Sequence, residues 1–188
     1  MPNQIFISYP SESWNFAERI VEALEKRINE VVFIDHRGID QADFQKAILA
    51  HLNASVGMIL IVTDATFQDV HRANDWVRME IRHALENQKQ IVQTCDNGIL
   101  VKPSMRLPND IKDITRSQAV PFHRGLFAAG IDSLVDLLVR IGLATLKADA
   151  GTSAIRALPA SQNIEDILRM VVDREGGIDY AAYWIDGV

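Results

Sequence analysis

A single cysteine, Cys95, stands in the 188 residues. It excludes an internal disulfide and fits a reducing compartment. Cys95 ends an apolar run, where a free thiol packs as a small hydrophobe. No run of 18 apolar residues exists, so no membrane-spanning helix is expected. The opening Met-Pro-Asn-Gln-Ile-Phe has neither a basic region nor an apolar core and does not read as a signal peptide. Basic residues form no cluster and the formal charge is −6, which argues against nucleic acid as a partner. The expectation is a cytoplasmic protein with no membrane and no nucleic acid among its partners.

Several catalytic signatures are missing as well. No Gly-x-Gly-x-x-Gly follows the first apolar run and no Gly-Lys-Ser/Thr is present, so Rossmann dinucleotide binding and P-loop chemistry drop out. No Gly-x-Ser-x-Gly elbow offers a serine nucleophile. The histidines at 36, 51, 71, 83 and 123 show no metal-ligand spacing and read as surface or supporting groups, so no metal is expected. A phosphorylation-type receiver needs an acid pair after its first strand, and Ser8-Tyr9-Pro10-Ser11 stands there instead. Asp64 then reads as a turn residue.

What is present is an alternation of short apolar runs and amphipathic stretches. Apolar residues make up 48% of the chain, enough for a real core. Gln4 to Ser8 reads as a strand buried on both faces. Tyr9-Pro10-Ser11 breaks it, and Ser11 or Ser13 can cap a helix reaching about Arg27. Val31 to Ile34 is a second buried strand ending at Asp35, followed by a polar loop from His36 to Gln41 and a helix from about Ala42 to Leu52 carrying Phe44, Ala47, Ile48 and Leu52. Val56 to Val62, the longest apolar run, is the best candidate for the central strand. A helix holding Val77, Ile81, Ala84 and Leu85 follows, with Asn74 or Asp75 as its N-cap. Ile91 to Cys95 is a fourth strand. The stretch from Asp96 to Ser117 is mostly loop, because it carries Gly98, Pro103 and Pro108. Ala119 to Phe122 is a short fifth strand that Pro121 marks as an edge. Ile131, Leu134, Val135, Leu138 and Ile141 define a last helix stopping at Gly142.

This order predicts an α/β fold, a doubly wound five-stranded parallel sheet of flavodoxin-like order. Residues 144–188 differ in composition and are expected to form a linker and a short amphipathic helical extension, so the domain is placed at 1–143. Ligands in such folds bind beyond the carboxyl ends of the strands. That directs attention to Ser8-Tyr9-Pro10, Asp35 to Phe44, Thr63 to Asp75, and Thr94 to Asp96. Within the third helix, Trp76 and Glu80 lie four residues apart and share one face. A ring and an acid so placed wall a pocket, or are a buried Trp beside a solvated Glu.

The order of elements resembles a TIR (Toll/interleukin-1 receptor) domain over roughly residues 4 to 142. Ile5-Phe6-Ile7-Ser8-Tyr9 resembles the family's opening strand. Val32-Phe33-Ile34-Asp35 with the following Gly-containing loop and Asp43-Phe44 resembles its second strand and BB loop, and Val56 to Thr63 its third strand. Asp75-Trp76-Val77-Arg78-Met79-Glu80-Ile81 resembles the Trp-x-x-x-Glu signature of the NAD-cleaving branch, which includes prokaryotic immune TIR proteins and an animal axon-degeneration enzyme. The chain departs from many members where the loop reads Asp40-Gln41-Ala42 in place of a Pro-Gly pair, and where Pro10 and Ser11 follow Tyr9 in place of basic residues.

The resemblance implies an NAD⁺ nucleosidase that cleaves the nicotinamide–ribose bond and gives ADP-ribose or a cyclic isomer, in prokaryotic antiphage defence or cell-death signalling. NAD⁺ is then the substrate, with no cofactor. Glu80 is implied as the catalytic carboxylate. Trp76, Phe44, Tyr9 and Ser8 are implied as substrate-binding, with Asp35, Arg37 and Asp40 on the loop that gates the pocket. TIR–TIR self-association is implied too, and a downstream domain or effector is left open. The alternative is a non-catalytic TIR interaction module, an adaptor or a virulence mimic of host signalling.

Overall fold

Five strands pair in parallel in the order β2-β1-β3-β4-β5: β1 (Gln4–Ser8), β2 (Val31–Ile34), β3 (Ser55–Val62), β4 (Gln90–Asp96) and β5 (Gln118–Phe122). Four helices connect and flank them: α1 (Trp14–Glu25), α2 (Gln41–Ala54), α3 (Trp76–Glu86) and α4 (Phe127–Arg140). This is the doubly wound, flavodoxin-like order expected. The computed structural model describes residues 3–34, 41–63, 66–72, 74–96, 101, 105–123 and 125–148, and for 41–45 and 96 the backbone alone. Among the described residues no helix is long and apolar enough to cross a membrane.

Side chains alternate across a strand, so each central strand feeds two cores. Ile5, Ile7, Ile59, Ile61 and Val92 pack against α1 and α4, where Ile20, Leu24, Leu134 and Leu138 meet them. Phe6, Met58, Leu60, Val62 and Ile91 face α2 and α3, where Leu52, Val77, Ile81 and Ala84 meet them. Strand β3 is the central member, with all residues from Met58 to Val62 fully buried.

Local chemistry sets the ends of the helices. A short 3-10 turn, Ser11–Ser13, precedes α1, and Ser13 stands at its N-cap without a side-chain cap bond. Asp75 caps α3, its carboxylate accepting from the Arg78 N–H at 2.8 Å. Helix α4 ends in a Schellman motif. Leu143 N–H donates to the Leu138 carbonyl at 2.8 Å and Gly142 N–H to the Val139 carbonyl at 3.0 Å, while Gly142 takes φ +77°. Helix α3 ends the same way, but Gln88 holds the left-handed position at φ 53°.

The chain stays on the domain after α4. Leu146 bridges antiparallel to Ile28, Asn29 N–H donates to the Thr145 carbonyl, and Lys147 N–H donates to the Arg27 carbonyl. The carboxylate of Glu30, 8% exposed, accepts from the Thr145 N–H at 2.9 Å and from its hydroxyl at 3.0 Å. Residues 144–147, which the sequence suggests as the start of the extension, are therefore tied to the α1–β2 connection. The extension beyond residue 148 lies outside the described residues.

Candidate functional site

The carboxyl ends of β1 and β3 meet the start of α3, and the chemistry-bearing side chains gather there. Ser8 is the last residue of β1 and pairs with Leu60 of β3. Alternation turns its side chain to the α3 face, alongside Phe6. Glu80 lies on the buried side of α3 with Val77, Ile81 and Ala84. Its carboxylate Oε2 accepts a hydrogen bond from Ser8 Oγ at 2.5 Å. Both residues are buried, Ser8 at 1% and Glu80 at 6% exposure. An O–H to carboxylate bond this short falls in the charge-assisted range. It fixes the carboxyl group where α3 crosses the strand ends.

A polar cleft of about 340 Å³ is lined by residues that follow β1 and by the start of α3, while Ser8 and Glu80 themselves are not among its lining residues. Pro10, Ser11 and Glu12, which follow β1, form one side. Residues of the segment from Thr66 to Val77 form the other. Trp76 lines the cleft at the first turn of α3, one turn before Glu80, and is half-buried against the core on that face. The Trp thus serves as wall and as packing together, a division that helical spacing alone left open. Glu80 is not the solvated acid that the same spacing allowed.

The wall segment is built by local hydrogen bonds. Thr66 N–H donates to the Thr63 carbonyl, Arg72 N–H to that of Asp69, and Asp75 N–H to that of Arg72. The hydroxyl of Thr66, 2% exposed, accepts from the Thr63 N–H at 2.7 Å. The cleft carries Glu12, Asp69 and Asp75 against Arg72, and Arg72 itself pairs with Asp69 at 3.2 Å. Among the described residues no group of three or more His, Cys, Asp or Glu side chains is placed to hold a metal ion.

The other sequence-predicted site residues divide. Tyr9, expected in the pocket, goes elsewhere. Its ring is 5% exposed, belongs to the core on the α1 and α4 side, and packs on Trp14 at 5.9 Å. Tyr9 lies just past the end of β1, and its ring continues the alternation that turns Ile5 and Ile7 to that face. Phe44 lies in α2, but its side chain is outside the described residues, as are Asp35, Arg37 and Asp40. Two histidines have supporting contacts: His51 stacks on Phe33 with ring centroids 3.8 Å apart, and His83 bonds Asn53 at 2.7 Å.

A family profile described as TIR domain matches residues 5–135. The chain belongs to the TIR family. Two curated relatives bear on which branch. The chain is 29% identical over 121 residues to the protein named NAD(+) hydrolase tir-1 of Caenorhabditis elegans, an alignment covering 62% of this chain and 12% of that protein. It is 25% identical over 138 residues to NAD(+) hydrolase SARM1 of Danio rerio, covering 71% of this chain and 19% of that protein. The match thus spans only 12% and 19% of the length of these two relatives.

Residues that the sequence did not single out support the segment that lines the cleft. Arg78 and Asp110 form an ion pair at 3.1 Å behind the cleft wall. A local clue existed for Arg78, since a long side chain early in a helix reaches back over the preceding turn. None existed for Asp110, 32 residues away in a loop.

Proposed function

We propose that this TIR domain is an NAD⁺ nucleosidase with Glu80 as its catalytic carboxylate. The observation that carries this reading is the buried Ser8–Glu80 pair, one helical turn along α3 from Trp76, which lines a polar cleft. The names of the two relatives support it. In the reaction the bond between ribose C1′ and the nicotinamide nitrogen breaks, and its electron pair leaves with nicotinamide as a neutral base. The ribose passes through an oxocarbenium-like state. A fixed carboxylate stabilises that positive charge without having to reorganise. Water then adds at C1′ and loses a proton, giving ADP-ribose. Attack by an adenine nitrogen of the same molecule gives a cyclic isomer instead.

Ser8 orients the Glu80 carboxyl group in this scheme, and Trp76 packs against the ribose or an adenine ring. Phe44, Asp35, Arg37 and Asp40 are proposed as further substrate-binding residues. Self-association of TIR domains and a setting in prokaryotic defence or cell-death signalling complete the proposal.

A second reading rests on the burial itself. A Glu at 6% exposure, already bonded to Ser8, also serves as a structural tie between β1 and α3 in a non-catalytic interaction module. One experiment separates the two. The purified chain is incubated with NAD⁺ at high protein concentration, or with a crowding agent, and nicotinamide and nucleotide products are followed by chromatography. The expected result is nicotinamide release by the wild type and none by Glu80→Ala. No release by the wild type under assembling conditions favours the interaction module. Equal release by both proteins removes Glu80 from the mechanism.

A further inference from the structure

Between Trp76 and Glu80 on α3 stands Arg78, and three kinds of contact converge on it. Its backbone N–H closes the N-cap by donating to Asp75 Oδ1 at 2.8 Å. Its Nη1 faces three successive loop carbonyls, those of Val70, His71 and Arg72, at 3.2, 3.3 and 3.5 Å. Its Nε and Nη2 form a fork on the Asp110 carboxylate at 3.1 and 3.2 Å. The side chain is 18% exposed and that of Asp110 27%.

The wall of the cleft needs such a fastening. Among the described residues its backbone hydrogen bonds are turns that each span three residues, as from Arg72 to Asp69 and from Asp75 to Arg72, and only at its start does a side chain, the Thr66 hydroxyl, bond the Ile61 carbonyl of β3 at 3.3 Å. Bonds of that length set the curl of a segment but not its place on the domain. Val70, 2% exposed, anchors the middle by packing. Arg78 adds a directional anchor, since one planar cation joins the segment, the helix that carries Glu80, and Asp110 from the loop after β4. A guanidinium has five donors in a rigid fork, and an ammonium in its place reaches one of these partners sets but not all of them.

We infer that Arg78 is a positioning residue: with Asp110 it holds the 66–76 wall in the shape that receives the substrate. The inference deepens the NAD⁺ reading above and takes its substrate from it. Trp76 is the link through which it acts, because Trp76 ends the wall and lines the cleft.

The test uses the full chain with Arg78→Lys and Asp110→Asn, two readouts and a melting curve. Hydrogen–deuterium exchange over residues 66–76 is expected to quicken in both variants, with β1, β3 and β4 unchanged. Under assembling conditions KM for NAD⁺ is expected to rise about tenfold in Arg78→Lys with kcat within about twofold, the pattern of lost substrate binding. Asp110→Asn follows in the same direction with a smaller change. Unchanged exchange over 66–76, or quicker exchange with an unchanged KM, overturns the inference. So does a variant that only melts earlier while its kcat and KM stay at wild-type values, which marks Arg78 as a residue of stability alone. A wild type that releases no nicotinamide overturns the NAD⁺ reading and the substrate assigned here, and exchange still decides whether Arg78 holds the wall.

Discussion

Ser8 Oγ donates to Glu80 Oε2 at 2.5 Å, joining the end of the first strand to the third helix across 72 residues of sequence. Both residues are buried, so the bond supplies a donor to a carboxyl group that water barely reaches. Loss of the hydroxyl takes one donor away from a buried acceptor, a hydrogen bond that contributes about 1–3 kcal/mol. Ser8→Ala is therefore expected to lower Tm by roughly 2–12 °C, at about 2–4 °C per kcal/mol for a chain of this size. Glu80→Gln keeps the shape and an acceptor oxygen, and costs less. A double-mutant cycle followed by thermal melting should return a coupling of about 0.5–3 kcal/mol between the two sites. Simple additivity means that the bond contributes nothing.

Trp76 divides its surface between the core and the cleft. Trp76→Ala is expected to destabilise by about 2 kcal/mol, less than the roughly 3–5 of a fully buried aromatic. Under the NAD⁺ reading it also lowers turnover or changes the ratio of linear to cyclic product. Trp76→Phe retains a ring, and its loss of stability should stay below about 1.5 kcal/mol. Calorimetry alongside product analysis checks both. Trp76→Ala melting like the wild type would show that packing contributes nothing at this position.

Gly130 lies inside α4, where alanine is normally better by about 1 kcal/mol. A Cβ there would meet Cδ1, Cε1 and Cγ of the Phe122 ring at 2.6, 2.8 and 2.8 Å. Phe122 is 1% exposed and held between Phe16 at 5.4 Å and Phe127 at 5.5 Å, so it has little room to yield. Overpacking of this kind costs about 1–3 kcal/mol. Gly130→Ala should lower the urea midpoint with an unchanged slope. A higher midpoint would show that α4 shifts freely on β5.

Gln88 holds the left-handed position that ends α3, at φ 53°. A side chain costs roughly 1–2 kcal/mol in that conformation, and glycine costs nothing there. The capping bonds of Lys89 N–H to the Ala84 carbonyl and of Gln88 N–H to the Leu85 carbonyl involve backbone alone and survive the exchange. After the greater freedom of glycine in the unfolded chain is allowed for, Gln88→Gly should stabilise by about 0.5 kcal/mol. Denaturant titration reads this directly, and a loss of stability would mean that the Gln side chain has a role of its own.

Much of the site followed from order along the chain. Strands read from apolar runs, with the first breaking at Tyr9-Pro10 and the third running to Val62, put Ser8 and the start of α3 at one edge of a parallel sheet. The same alternation accounts for Tyr9, which follows β1 and turns its ring to the face opposite Ser8. The contact between Arg78 and Asp110 had no such signal, because no periodicity relates a helix to a distant loop.

By itself the sequence determined the elements and their order. Apolar runs of strand length alternate with amphipathic helices, and short-range physics restricts such a pattern to few topologies. It also determined that Trp76 and Glu80 share a helical face. Whether that face looks to water or to the sheet was decided by tertiary structure alone. A helical period fixes angles about the helix axis, whereas burial depends on what packs against it. Only the folded chain brings Ser8 against Glu80 and Asp110 against Arg78, because both contacts arise from long-range packing.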